Sequence, residues 1–160
     1  MFSFSNKNQK LAVIGSGYWG SIIIKTLIEL GFKNIIIYDK SVKNKNIVKK
    51  KFDIVKFEHT FSNILKDKNI LNTFVVTPPS QNLKIVTKLI NSDKNIFLEK
   101  PGFDKINDLK KIEKYLKKSN SKLIFGYIYC YNEYIKKIKT ILDRKILGEI
   151  QYISFSRKNL

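Results

Sequence analysis

The stretch "LAVIGSGYWG", residues 11–20, decides the reading of this chain. Leu11 to Ile14 form an apolar run of strand character that stops at Gly15, Gly17 and Gly20, and "SIIIKTLIEL" beyond them reads as a helix. The spacing is Gly-x-Gly-x-x-Gly, which any glycine-bearing turn can produce, so the surroundings must carry the argument. Here they do: a strand precedes, a helix follows, and a second strand stretch, "NIIIYD", ends in Asp39, 19 residues after Gly20.

In a dinucleotide-binding unit with this pattern Gly15 permits the tight turn, Gly17 leaves room for a pyrophosphate against the backbone, and Gly20 lets helix and strand pack closely. Amide N–H groups at the helix start face the negative charge. Ser16, Tyr18 and Trp19 complete the turn and are cofactor-binding candidates with the glycines. Tyr18 and Trp19 either shield the pyrophosphate from water or pack on the sheet, and packing is the favoured reading for Trp19. The Asp39 carboxylate is placed to accept from the adenosine ribose hydroxyls and to repel the extra phosphate of NADP, which makes NAD the first choice. Lys40 and Lys43 could offset that repulsion, so NADP stands as the alternative, and Lys40 joins the candidate set.

Strand-like and helix-like stretches alternate along the whole chain. Strands read at about 10–14, 34–38, 54–57, 73–76, 96–99 and 123–128, which is the pattern of a parallel sheet covered by helices on both faces. The helix at about 19–30 stops at Gly31, suited to the left-handed conformation just past a helix end. A second runs from Ser80 as its cap, with Leu83, Ile85, Val86, Leu89 and Ile90 on one side. "FDKINDLKKIEKYLKK" turns Ile106, Leu109, Ile112 and Leu116 inward, and a further helix spans roughly Glu133 to Lys145 before a final strand signal, "EIQYISF". The fold class is therefore α/β: a doubly wound parallel sheet of the Rossmann type, three layers, in strand order 3-2-1-4-5-6.

With 160 residues the chain builds one core or one domain and the opening of another. Its apolar runs last only a few residues, far below the roughly 20 of a membrane span, and no secretory signal is evident, so the expected setting is cytoplasmic. The net charge of +18 raises nucleic acid as a partner, yet the lysines are spread throughout and Arg144 and Arg157 are the only arginines. A concentrated arginine and aromatic face is not visible, and a nucleic-acid binder ranks far below the cofactor reading. Cys130 is the only cysteine, which rules out an internal disulfide and a multi-cysteine metal site. It is expected to be a buried small residue. His59, the only histidine, is expected on a surface loop and supports no metal site.

With "FVVTPPSQN" after the fourth strand, "IFLEKPGF" after the fifth and "FGYIYCYN" after the sixth, the chain resembles the Gfo/Idh/MocA family, named for glucose-fructose oxidoreductase and inositol dehydrogenase. The resemblance covers almost the whole chain. It implies that Thr77, Pro78 and Pro79 lie along the nicotinamide half of the cofactor and that Glu99, Lys100 and Pro101 stand at the junction of cofactor and substrate, with a cis bond commonly at the position of Lys100–Pro101. Both loops follow carboxyl ends of parallel strands, where open α/β sheets bind ligands. Lys100 is thereby the catalytic candidate, a lysine that hydrogen-bonds a substrate hydroxyl and shares in moving its proton. Glu99 shapes the nicotinamide side, and Tyr127 and Asn132 are weaker candidates for the rim.

The sequence also departs from the family pattern. Asn82 stands where a histidine is common, Cys130 where an arginine is, and Glu133 where a proline is, which bears on substrate contacts and not on the fold. Family members carry a second, mostly antiparallel domain with an Asp-x-x-x-His pair, and this chain ends before any such pair. The expectation is a cofactor domain over residues 1–120, then a sixth strand, a connecting helix and the first strand of a truncated substrate domain over 121–160. The implied function is the NAD(P)-binding portion of an oxidoreductase that exchanges hydride with a hydroxyl of a sugar, cyclitol or sugar nucleotide. A homo-oligomer or a partner chain would supply what is missing. The alternative is a dinucleotide-binding protein or remnant without catalysis.

Overall fold

A computed structural model describes residues 6–156. Residues 1–5 and 157–160, the two ends of the expected domain ranges, lie outside the described residues. The chain divides into two compact units, the first ending at Gly126 and the second beginning at Tyr127.

The first unit alternates strands and helices: β1 (Lys10–Ile14), α1 (Tyr18–Glu29), β2 (Asn34–Tyr38), α2 (Val42–Lys51), β3 (Lys56–Phe57), α3 (Phe61–Lys66), β4 (Ile70–Val75), α4 (Pro79–Ile90), β5 (Asn95–Leu98), α5 (Ile106–Leu116) and β6 (Leu123–Phe125). The six strands form one sheet in the order β3-β2-β1-β4-β5-β6, with every pairing parallel. This is the expected doubly wound order. It reverses direction beside β1, which places the crevice between β1 and β4 at the carboxyl edge of the sheet.

Period-two alternation along the strands splits the core into two clusters, one on each face. Ala12 and Ile14 of β1 and Ile36 of β2 join Ile64, Val86, Leu89, Ile90 and Ile112 from α3, α4 and α5. Leu11, Val13, Ile35 and Ile37 join Ile24, Leu27 and Val48 from α1 and α2. A strand covered on both sides must be apolar at consecutive positions, and Leu11 to Ile14 are buried throughout. Gly31 ends α1 with φ +88°, and the amides of Gly31 and Phe32 return to the Ile28 and Leu27 carbonyls.

Several details differ from the sequence reading, among them β4, which begins at Ile70 and not at about 73. The cap of α4 is Pro78, with Pro79 in the first turn, and not Ser80; a proline's missing N–H costs nothing where no intrahelical acceptor exists. In α5 only Ile112 is buried, while Ile106 and Leu109 are exposed. Of the expected stripe, Ile112 and the half-buried Leu116 are the residues packed on the core. The strand β6 stops at Phe125, and β3 keeps only two residues.

The second unit holds a 3-10 helix, Ile128–Tyr131, and α6, Glu133–Asp143. The Asn132 carboxamide caps α6 by accepting from the amides of Tyr134 (3.0 Å) and Ile135 (3.1 Å). Cys130 is exposed, contrary to expectation; one short helical turn has no face to bury it against. Residues 149–156 form no strand. The alternation in "EIQYISF" is strand-like, but a strand needs a neighbour for its N–H and C=O groups, and none of the described strands pairs with it.

Candidate functional site

The carboxyl ends of the strands line up through backbone bonds. Gly15 N–H donates to Tyr38 O (2.9 Å), Val76 to Ile14 O (2.8 Å), Glu99 to Val75 O (3.0 Å) and Gly126 to Leu98 O (2.8 Å). The loops bearing the expected site residues therefore leave the sheet at one level.

The three glycines of the turn do different work. Gly15 has φ +93°, and a Cβ there would collide with the Val76 carbonyl oxygen; one on Gly20 would collide with the Gly15 carbonyl oxygen. Both are required by backbone approach. Gly17 is different: its φ is −65°, and a Cβ would meet only Asn44 Nδ2, at 3.9 Å. Gly17 caps α1 without a side chain, and no acid lies in the first turn. The amides of Tyr18, Trp19 and Gly20 thus have no acceptor within the helix, and the positive end of its dipole is uncompensated. These features fit a dinucleotide diphosphate at this helix end.

Asp39 is held by four donors. Its Oδ2 accepts from the Ser16 amide (2.7 Å), the Ser16 hydroxyl (2.9 Å) and Asn44 Nδ2 (3.1 Å), and Oδ1 accepts from the Ser41 amide (2.8 Å). Burial pushes the carboxyl up, but the hydrogen bonds from Ser41, Ser16 and Asn44 outweigh it and hold its pKa below the usual value. Ser16 is buried and gives both of its donors to Asp39 instead of presenting them to solvent. Oδ2 carries three of the four bonds and Oδ1 accepts only the Ser41 amide, while a carboxylate oxygen can accept at least two. Oδ1 therefore keeps room for one more donor.

Gly15, Gly17, Asp39, Lys40, Thr77 and Pro78 line a single cleft of about 720 Å³. Its remaining walls include Tyr38, Ser41, Asn44, Phe61, Lys84, Ile85 and Lys88. The Tyr38 and Phe61 rings lie 5.5 Å apart and make an apolar corner. The sequence reading missed these wall residues. Lys84, Ile85 and Lys88 share a helix face by i, i+4 spacing, a signal that was present but unattached to any site. Ser16, Gly17 and Tyr18 line an adjoining depression.

Trp19 does not pack on the sheet. It is 48% exposed, because Gly20 and Ile24, both buried, occupy the sheet-facing side of α1. Its indole sits edge-on to Tyr18 (5.8 Å between centroids) and carries Lys100 Nζ over its face at 5.4 Å. The glycine turn and the Glu99-Lys100-Pro101 loop thus meet side chain to side chain. The Lys100–Pro101 bond is cis, and Glu99 Oε2 accepts from the Lys100 amide (3.2 Å).

Asn82 joins the two outer loops. It is buried, accepts from Thr77 Oγ1 at 2.6 Å and donates from Nδ2 to the Gly102 carbonyl at 2.6 Å. Gly102, at φ +88°, has no room for a side chain against the Phe125 ring.

The family model described as an oxidoreductase family with an NAD-binding Rossmann fold matches residues 9–127. The chain belongs to the Gfo/Idh/MocA family. Inositol 2-dehydrogenase/D-chiro-inositol 3-dehydrogenase of Lacticaseibacillus casei is 29% identical over 143 residues, 87% of this chain and 41% of that protein. Among solved structures, myo-inositol 2-dehydrogenase of Lactobacillus plantarum superposes with a TM-score of 0.78 at 21% identity, over 89% of this chain and 43% of that one. Scyllo-inositol dehydrogenase of Lactobacillus casei, solved with NAD(H) and scyllo-inositol, gives 0.74 at 19% identity, over 89% and 43%. The chain spans less than half the length of each of these proteins. Among the described residues no helix is long and apolar enough to cross a membrane.

Proposed function

We propose that this chain is the cofactor-binding portion of a cytoplasmic oxidoreductase that moves hydride between NAD, with NADP as the alternative, and a hydroxyl of a small polyol, sugar or sugar nucleotide. The observation that carries the reading is the cleft in which the glycine turn and Asp39 stand together. Tyr38, Phe61 and Ile85 offer the apolar wall an adenine needs, and Asp39 Oδ1 keeps acceptor capacity for a ribose hydroxyl. The open amides of Tyr18, Trp19 and Gly20 suit the diphosphate, and the space over Gly17 admits it. Thr77, Pro78, Pro79 and Glu99 shape the nicotinamide side.

The nicotinamide ring, when bound, supplies the carbon that accepts or gives the hydride. Lys100 hydrogen-bonds the substrate hydroxyl and shares in moving its proton as the C–H bond breaks. The polyol substrate and any partner that completes the pocket belong to the same proposal, supported by the inositol dehydrogenases among the relatives.

Calorimetric titration of the chain and of Asp39→Ala with NAD and NADP tests it. NAD binds the wild type, and Asp39→Ala loses NAD affinity about tenfold while losing little for NADP, the usual scale of a hydrogen bond to a charged group. If neither cofactor binds the wild type, the reading is wrong. Cofactor affinity without NADH production on any polyol favours the non-catalytic alternative.

A further inference from the structure

We infer that Asn82 fixes the direction of the Thr77 hydroxyl's hydrogen bond, so that Thr77, which lines the cleft, offers its oxygen to the dinucleotide only as an acceptor and selects a donor group. This rests on the cofactor reading above.

The Gly102 carbonyl oxygen can only accept. Asn82 must therefore turn its amide nitrogen toward it, 2.6 Å away. The reversed amide would set two acceptors against each other in a buried position, where an unmade bond is costly. With the nitrogen fixed, the Asn82 carboxamide oxygen faces Thr77 Oγ1 at 2.6 Å. That oxygen is an acceptor too, so the one proton of the Thr77 hydroxyl goes to Asn82. What remains on Thr77 Oγ1 is lone pairs.

Thr77 lines the cleft beside Gly15 and Asp39. A threonine there is free in principle to donate to a phosphate oxygen or to accept from a hydroxyl or amide. The relay from Gly102 through Asn82 removes the first choice. The Thr77 oxygen matches a ribose O–H or the nicotinamide carboxamide N–H, and it mismatches the diphosphate, which the amides of α1 suit. The same two bonds tie the loop after β4 to the loop bearing Lys100, so Asn82 is a positioning residue acting through Thr77.

The test is calorimetric titration of the full 160-residue chain with NAD, ADP-ribose and ADP. Thr77→Val removes the acceptor and keeps the shape; it should weaken NAD about fivefold, the worth of one neutral hydrogen bond, and leave ADP unchanged. Thr77→Ser should restore NAD binding. ADP-ribose distinguishes the donors: a loss shared with NAD marks the ribose hydroxyl, and a loss confined to NAD marks the carboxamide. Asn82→Leu should lower NAD affinity without lowering ADP affinity, and the double variant should be no weaker than the weaker single one.

Unchanged NAD affinity in Thr77→Val overturns the inference, as does an equal loss for ADP or full additivity with Asn82→Leu. If Asn82→Leu fails to fold, Thr77→Val and Thr77→Ser decide alone. If the wild type binds neither NAD nor ADP, the cofactor reading falls and takes this inference with it.

Discussion

The Asp39 carboxylate accepts both the backbone amide of Ser16, at 2.7 Å, and its hydroxyl, at 2.9 Å. The acid at the end of β2 is thus a structural clamp on the glycine turn as well as a wall of the cleft. Any ligand hydroxyl that reaches Asp39 joins an existing network, which orients the free lone pair before the ligand arrives and lowers the cost of ordering it.

That network makes stability depend on pH in a stated direction. The folded Asp39 titrates below its ordinary value of 3.8, so the folded chain holds fewer protons than the unfolded one between the two values. The stabilisation is fully present above the ordinary value and is lost as pH falls through the folded one. Urea unfolding of the wild type and Asp39→Asn should show a stability gap at pH 7 that is smaller at pH 3. A gap that stays constant would remove the clamp from the account.

The glycines predict a division between folding and binding. Gly15→Ala and Gly20→Ala force a Cβ onto a backbone carbonyl, and each should lower stability by about 2–4 kcal/mol. Gly17→Ala, in open space at an ordinary φ, should stay within about 1 kcal/mol of wild type while weakening NAD binding, because its methyl occupies the approach to the amides. Equal destabilisation by all three would contradict the geometry.

Much of this architecture was legible because its signals are local. The strand order follows from alternating β and α periods with crossovers of one hand, and the meeting of the glycine turn with Asp39 in one cleft follows from a spacing inside one βαβ unit. The Asn82 bridge was not legible, since its partner Gly102 lies 20 residues away and only the packed loops bring the two together. The orientation of Trp19 depended on which side of α1 the sheet takes, and Gly20 takes it. The strand expected at 149–155 failed for a related reason: alternation states a preference, but pairing requires a neighbour.

Cys130, set in the exposed 3-10 turn, should react fully with a thiol reagent in the native chain, one equivalent per molecule and without denaturant. Its exposure leaves the sulfur free to reach the reagent. Modification that waits for urea would restore the buried reading.

Trp19 is the only tryptophan, so its emission reports one place. An indole 48% exposed should emit at long wavelength and be quenched readily by both acrylamide and iodide. The Lys100 ammonium over its face draws anions to the ring, so Lys100→Ala should reduce iodide quenching while leaving acrylamide quenching nearly unchanged. The contact itself is worth only about 0.5–1 kcal/mol at an exposed site, so the variant should fold normally and the spectroscopic change should stand apart from stability. NAD should protect the indole from both quenchers if the cofactor lies along the turn. Blue-shifted emission insensitive to either quencher would place the indole inside the core and leave Lys100 without its neighbour.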